Sequence, residues 1–275
     1  MEGSAGAGPA AALLRTDIAA HVTLAGVTKT YVSPRGNVAA LTETSLDVAP
    51  GEFVSILGPS GCGKSTLLRM VGGLDRPTTG DLRIHGRPID GTPEGLGFVF
   101  QRDVLIDWRT ILDNVLLPIE FQNLSRKANL QRAKDLLALF GLKGFENRHP
   151  WELSGGMRQR AAICRALIND PELLLMDEPF GAVDALTRDQ LNVELQTIWL
   201  RSRKTVLFVT HSISEAIFLA DRVAVMASRP GRIVQTVAID FPRPRPLDVR
   251  DEPGFAHYSR QIRKVLESHG AFARE

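Results

Sequence analysis

Apolar residues recur along the chain in two distinct rhythms, and the elements follow from them. Alternation over residues 21–31, with Val22, Leu24 and Val27 apolar, predicts an edge strand with one buried face. Residues 39–46 and 53–57 are predicted as a strand pair split by an Ala49-Pro50-Gly51 turn. Leu173-Leu174-Leu175-Met176 and Val206-Leu207-Phe208-Val209 are apolar without alternation, the pattern of strands buried on both faces of a parallel sheet. Residues 81–84 and 97–100 are strand-like, and 223–226 with 233–238 form a pair around Arg229-Pro230-Gly231-Arg232. The other rhythm is helical. Leu130, Ala133, Leu136, Leu137 and Phe140 lie on one face of a helix that Gly141 closes. Thr110 and Ser125 stand where N-caps belong, and Asp184 opens an amphipathic helix reaching about Arg201. Prolines at 242, 244 and 246 force an extended segment, after which a last helix runs from about 254 to 268. This order of elements predicts an α/β fold.

Composition narrows the class. At 44% apolar and 23% charged, the 275-residue chain is ordinary for a globular protein and long enough for a substantial core. Its 33 basic and 31 acidic residues leave a net charge of +2 with no basic run, which argues against a nucleic-acid groove. No stretch approaches a membrane span. Residues 1–20 are rich in Ala and Gly, carry Glu2, and lack the basic flank of a signal peptide; they are expected to be a disordered tail. Cys62 and Cys164 are too far apart to suggest a metal pair and are expected to be buried, reduced thiols.

The candidate chemistry centres on Gly58-Pro59-Ser60-Gly61-Cys62-Gly63-Lys64-Ser65-Thr66, set between a strand and a helix. That is the context of a P-loop: glycines let the backbone N–H groups turn inward around an anion, and the helix start adds its dipole. Lys64 supplies a mobile charge for the β- and γ-phosphates, and the Ser65 hydroxyl is a ligand for Mg²⁺. Two acids, Asp177 and Glu178, end a buried strand at the edge where open α/β sheets bind ligands. Beside a P-loop, Asp177 reads as the Mg²⁺-side acid and Glu178 as the group that orients or activates water. His211 ends another buried strand, in reach of the γ-phosphate and the attacking water. By themselves, Tyr31 is either packing or a base-stacking ring, Gln101 is unremarkable, and Ser154-Gly155-Gly156 is either a capped helix start or a second anion site.

The spacing of the P-loop, Gln101, Leu153-Ser154-Gly155-Gly156, Asp177-Glu178 and His211 resembles the ATP-binding subunit of ABC transporters, over residues 22 to 237. The resemblance implies a P-loop NTPase fold with a RecA-like core, an antiparallel β subdomain and a helical signature subdomain at about 102–168. The ATPase domain then spans 21–240, and 241–275 is a C-terminal Pro-rich segment and helix. Tyr31 matches the aromatic that stacks on adenine, Gly58 to Ser65 the Walker A loop, and Gln101 the residue that senses Mg²⁺ and the membrane partner. Leu153 to Met157 match the signature, Asp177 and Glu178 the Walker B acid and catalytic glutamate, Asp184 the D-loop and His211 the switch histidine. Met157 replaces a common Gln, and Gly181-Ala182-Val183-Asp184 departs from Ser-Ala-Leu-Asp; neither removes a phosphate-binding group. With Pro179-Phe180-Gly181 and Ser228-Arg229-Pro230-Gly231-Arg232, the chain is similar to nitrate/sulfonate/taurine-type bacterial importers.

That family implies ATP with Mg²⁺ and a head-to-tail dimer in which Ser154, Gly155, Gly156 and Asp184 serve the partner's nucleotide. It also implies a permease in the membrane, an extracytoplasmic solute-binding protein, and a peripheral position on the cytoplasmic face. The stretch Asp103–Asn114, with exposed-looking Leu105, Ile106 and Trp108, is the expected permease contact, Trp108 being either its anchor or a core residue. The competing class is a soluble ABC-type ATPase of cluster assembly or DNA maintenance. Chromosome and repair members insert long coiled coils between Gln101 and the signature, where only about fifty residues intervene here.

Overall fold

The computed structural model describes residues 20–269 apart from 35, 182 and 229. The expected N-terminal tail, Ala20 excepted, lies outside the described residues, as do residues 270–275. In chain order, β1 (Val22–Tyr31), β2 (Val38–Val48) and β3 (Phe53–Leu57) lead into α1 (Lys64–Val71). Then come β4 (Thr79–Ile84), β5 (Arg87–Pro88), β6 (Leu96–Val99), α2 (Ile111–Phe121), α3 (Arg126–Leu139) and α4 (Gly155–Leu167). The chain continues through β7 (Leu173–Asp177), α5 (Ala185–Ser202), β8 (Thr205–Thr210), α6 (Ile213–Leu219), β9 (Arg222–Ala227), β10 (Arg232–Ala238) and α7 (Pro253–Ser268).

Two sheets result. A six-stranded sheet, ordered β10-β9-β3-β8-β7-β6, is parallel except for β10 at its edge. A four-stranded antiparallel sheet is ordered β2-β1-β4-β5. Two strand expectations are corrected here. The alternating first strand is not an edge: β1 lies between β2 and β4, and its alternation records one covered face. Nor do β2 and β3 pair; the Ala49-Pro50-Gly51 turn carries the chain from one sheet to the other.

Burial explains which strand goes where. Every residue of β3, β7 and β8 is buried, because both faces of the parallel sheet are covered. Successive side chains on a strand point to opposite faces. Phe53 and Leu57 accordingly join the core with Trp199, Phe208 and Phe218, whereas Val54 and Ile56 join Leu67 and Leu68 of α1 and Val22 and Leu24 of the antiparallel sheet. The helix starts are capped as expected. Thr110 accepts from the Asp113 N–H, Ser125 from Ala128, Ser154 from Met157 and Asp184 from Thr187, each cap contributing about 1 kcal/mol. Both cysteines are buried, and burial pushes both thiols up.

The Pro-rich segment folds back beneath α6, the helix that follows His211. Its Arg245 is 2% exposed. The guanidinium donates to the carbonyls of Ile217 (2.6 Å), Phe218 (3.0 Å) and Ala220 (2.9 Å), and to Ile239 and Phe241. The orphan carbonyls at the end of α6 thus find donors. Burial, with the neighbouring Arg243 charge, pushes the Arg245 pKa down to about 10, which still leaves it charged at neutral pH. Gln196 of α5 fixes the Arg245 backbone with one bond in each direction, at 2.8 and 2.7 Å. Arg243 stacks over Trp199 and pairs with Asp221 at 2.9 Å.

Candidate active site

The loop between β3 and α1 is shaped by close approach. Gly61 (φ 75°) and Gly63 (φ 93°) occupy the left-handed region, and Gly63 is the N-cap of α1. A Cβ at Gly58 would lie 2.8 Å from both Cys62 Sγ and the Met226 carbonyl. Ser60, Gly61, Gly63, Lys64, Ser65 and Thr66 line a cleft of about 780 Å³, within the range usual for small-molecule sites. Gly58, Pro59 and Cys62 do not line it. They act from behind it: the Gly58 and Pro59 carbonyls accept from Lys64 Nζ at 2.9 and 3.0 Å, and Cys62 is buried.

Across the cleft, the end of β7 delivers the two acids. Asp177 Oδ1 accepts from the Ser65 hydroxyl at 2.9 Å. Burial pushes the Asp177 carboxyl above the usual carboxylate range, with the Glu178 charge adding to the shift and the Ser65 bond and Lys64 opposing it. Such a buried acid gains from a nearby cation. Ser65 and Asp177 present adjacent hard oxygen donors, the set that Mg²⁺ prefers, so the residues fit that ion.

Glu178 is where the site converges. Its carboxylate lies 3.3 Å from Lys64 Nζ, accepts from Gln101 Nε2 at 3.4 Å, and lies 3.3 Å from His211 Nδ1. Its backbone sits at φ 42°, a left-handed conformation that costs a non-glycine residue about 1–3 kcal/mol. A bond from the Glu178 N–H to the Val209 carbonyl (3.0 Å) and one from Gly181 N–H to the Glu178 carbonyl (3.0 Å) hold that turn, with Phe180 buried beneath it. The expected catalytic residues Lys64, Glu178 and His211 are therefore brought together, with Gln101 beside them. Gln101 reaches Glu178 through its amide nitrogen.

Tyr31 lines the same cleft. Its hydroxyl donates to Asp75 at 2.9 Å, and Lys29 lies 5.0 Å over its ring. Ser154, Gly155, Gly156 and Asp184 do not line the cleft of their own chain. Ser154 and Gly155 are exposed at the open start of α4, and Gly156 packs against Thr187, so the signature and the Asp184 segment adjoin each other. Helix α4 is also tied to the stretch after Gln101: Arg158 pairs with Asp103 at 2.9 Å, and Arg165 donates to the Asp103 and Val104 carbonyls.

Sequence reasoning missed several residues. Val38, Ala39, Ala40, Pro230 and Gly231 form one wall of the cleft. Nothing in β2 marks it as a wall, whereas the Pro-Gly turn could have signalled a tight approach. Glu215 was also passed over. It is buried, accepts from the Thr210 hydroxyl next to His211, and lies 3.5 Å from Arg188, which donates to the Val183 carbonyl just before Asp184 (2.9 Å). Ser212 followed three residues later by Glu215 spells a capping box, yet the glutamate turns to Thr210 instead.

Comparison with known proteins agrees with this geometry. Residues 41–181 match the family model described as ABC transporter. The taurine import ATP-binding protein of Rhizobium johnstonii is 44% identical over 236 residues, covering 84% of this chain and 90% of the relative. The nitrate import ATP-binding protein of Synechocystis sp. is 40% identical over 252 residues, covering 90% and 95%. Among solved structures, a dimeric ATP-binding cassette in a post-hydrolysis state with ADP and Pi superposes with a TM-score of 0.72 at 36% identity, covering 80% of this chain and all of that one.

Proposed function

The chain belongs to the ABC transporter ATP-binding family, and from that premise we propose that it hydrolyses ATP between two copies of itself to drive solute import through a membrane permease. The observation that carries the reading is the meeting of Lys64, Gln101 and His211 on the Glu178 carboxylate, on the wall of a cleft shaped by a P-loop. Backbone N–H groups of the loop and the Lys64 ammonium hold the β- and γ-phosphates, and Tyr31 stacks on the adenine. Ser65 and Asp177, with Gln101, would hold Mg²⁺, which supplies positive charge against the transferring phosphoryl group. Glu178 orients a water in line with the γ-phosphate and takes its proton, while His211 fixes the carboxylate from the other side.

One P-loop covers only part of a triphosphate's charge. Ser154, Gly155 and Gly156 stand exposed at a helix start, outside their own cleft, and are suited to donate to the nucleotide of a second copy, with Asp184 beside them. ATP then holds the dimer closed, and hydrolysis releases it.

Closure must reach a membrane partner. No helix among the described residues is long and apolar enough to cross a membrane; the permease is taken as a separate subunit, as the family implies. Of the stretch expected to contact it, Trp108 is 81% exposed, but Leu105 and Ile106 are half-buried rather than open. Beside it Phe98, Phe100, Val104, Leu117, Pro118 and Phe121 line an apolar groove of about 330 Å³, which extends the proposed contact. Arg158 and Arg165 link this groove to α4, giving a path from the permease to the signature. The chain then sits peripherally on the cytoplasmic face, with an extracytoplasmic solute-binding protein delivering a small anion of the nitrate or sulfonate kind or a related organic solute such as taurine. No nucleic acid takes part.

The test is affinity purification of tagged Glu178→Gln protein, held with ATP, from detergent-solubilised membranes. Recovery of a polytopic membrane protein is the expected result. Recovery of soluble partners alone would favour a cluster-assembly role and overturn the transport reading.

A further inference from the structure

At the opposite end of the parallel strands from the nucleotide cleft, three chemistry-bearing side chains from separate elements meet. His21 immediately precedes β1, His85 immediately follows β4, and Glu172 immediately precedes β7. Their backbones are fixed: the His85 N–H donates to the His21 carbonyl (2.9 Å), and the Glu172 N–H to Gly95 (2.8 Å). The two imidazoles lie face to face, 4.1 Å between centroids and 27° from parallel. His85 Nε2 is 3.1 Å from a Glu172 carboxylate oxygen. One donor atom from each of the three residues lies within 4.8 Å of the others.

We propose that His21, His85 and Glu172 form a binding site for a divalent transition-metal ion of the zinc type, separate from the magnesium-nucleotide site. Two imidazole nitrogens and one carboxylate oxygen suit Zn²⁺, whereas Mg²⁺ and Ca²⁺ take oxygen donors. Bonds of about 2.0–2.2 Å in a tetrahedral zinc site place ligand atoms about 3.3 Å apart. The 4.8 Å spread therefore has to contract by about 1.5 Å.

The groups that must move are free to do so. The His85 and Glu172 side chains are 54% and 71% exposed, while His21 is 4% exposed and held. The His85 ring has to turn out of the stack for its lone pair to meet that of His21. His21 Nδ1 lies 2.7 Å from the Thr205 hydroxyl, which also accepts the Gly51 N–H at 2.9 Å. With the proton on Nδ1, donated to Thr205, His21 Nε2 presents a lone pair to the ion. Such an outer partner is the usual means of orienting a metal-bound imidazole. A cleft of about 910 Å³, lined by His85, Glu172, Asp90 and Glu94, gives the ion access and room for a water in the fourth position. A bound ion would clamp the antiparallel sheet, through His21 and His85, to the parallel sheet at the start of β7.

The experiment is a Zn²⁺ titration of the full chain against a chromophoric chelator, with excess Mg²⁺ and ADP keeping the nucleotide site filled. Wild type, His85→Ala and Glu172→Gln are compared, with circular dichroism as the check on folding. Wild type is expected to take up one Zn²⁺ per chain and to melt at a higher temperature with it. Each variant is expected to bind zinc at least about tenfold more weakly and to lose the melting shift. ATP hydrolysis without zinc should be unchanged in both variants, since neither residue lines the nucleotide cleft. Absence of stoichiometric uptake by wild type, or uptake that both variants share undiminished, would overturn the proposal.

Discussion

Gly231→Ala tests whether the turn between β9 and β10 positions the phosphate loop. A Cβ at Gly231 would stand 1.9 Å from the Cys62 carbonyl oxygen and 3.0 Å from that of Ala40, where real Cβ contacts essentially never fall below 3.0 Å. The phosphate loop and the turn must therefore separate by about 1.1 Å. Neither neighbour is a flexible side chain; both are backbone, and the Gly231 N–H and carbonyl bond to Ala40 (3.1 Å) and Thr42 (2.9 Å). Overpacking of this kind costs about 1–3 kcal/mol, a fall in melting temperature of about 2–12 °C for a chain of this size. Displacing the loop by about 1 Å has a second cost, since misplacement on that scale lowers turnover by about 10²-fold. Differential scanning fluorimetry, titration with a fluorescent ATP analogue and steady-state ATPase assays read the three effects. Gly254→Ala is the control: its Cβ would meet only the edge of the Phe241 ring at 3.2 Å, which has to give by a few tenths of an ångström, far from the phosphate loop, so nucleotide affinity and turnover should stay at wild-type levels. A Gly231→Ala protein with wild-type melting, nucleotide affinity and turnover would refute the reasoning.

Other expectations follow from the same structure. Arg245→Gln leaves the carbonyls at the end of α6 without their charged donor and should cost about 3 kcal/mol, read by urea denaturation; because α6 follows His211, turnover should fall as well. Trp108→Ala should keep ATPase activity in the isolated subunit and lose transport in the assembled system; normal transport would remove Trp108 from the permease contact. Asp170 gives a pH effect. Partial burial pulls its carboxyl up, but hydrogen bonds and charges of Lys204 and Arg132 hold it below the usual range. Its stabilisation is complete above the unfolded value of about 4 and is lost as pH falls through the lowered folded value. Asp170→Asn should flatten that part of the acid-denaturation curve.

Much of this molecule was legible in its residues because the relevant signals are local. The unbroken apolar runs at 173–176 and 206–209 are buried central strands, and the caps at Thr110, Ser125 and Asp184 are where short polar side chains predicted them. The P-loop and the Asp177-Glu178 pair likewise carry their chemistry in adjacent positions. What escaped was set by distant chain segments meeting. Alternation in β1 reports one buried face but not which strands flank it, so an interior strand was read as an edge. The short gap between residues 46 and 53 suggested pairing, whereas the strands serve different sheets. Gly231 approaches Cys62 across a long sequence separation, and Arg245 reaches back to α6 from among three prolines; neither contact leaves a local periodic trace.

The Glu178 carboxylate is the group on which the proposed chemistry turns, and one substitution addresses it with little change of shape. Glu178→Gln keeps the size and the hydrogen bond to Gln101 but cannot accept a proton from water. Steady-state hydrolysis of Mg²⁺·ATP, measured alongside light scattering for oligomeric state, should fall by about 10²–10⁴-fold while an ATP-dependent dimer accumulates. Hydrolysis at the wild-type rate would contradict the assignment of Glu178 as the base.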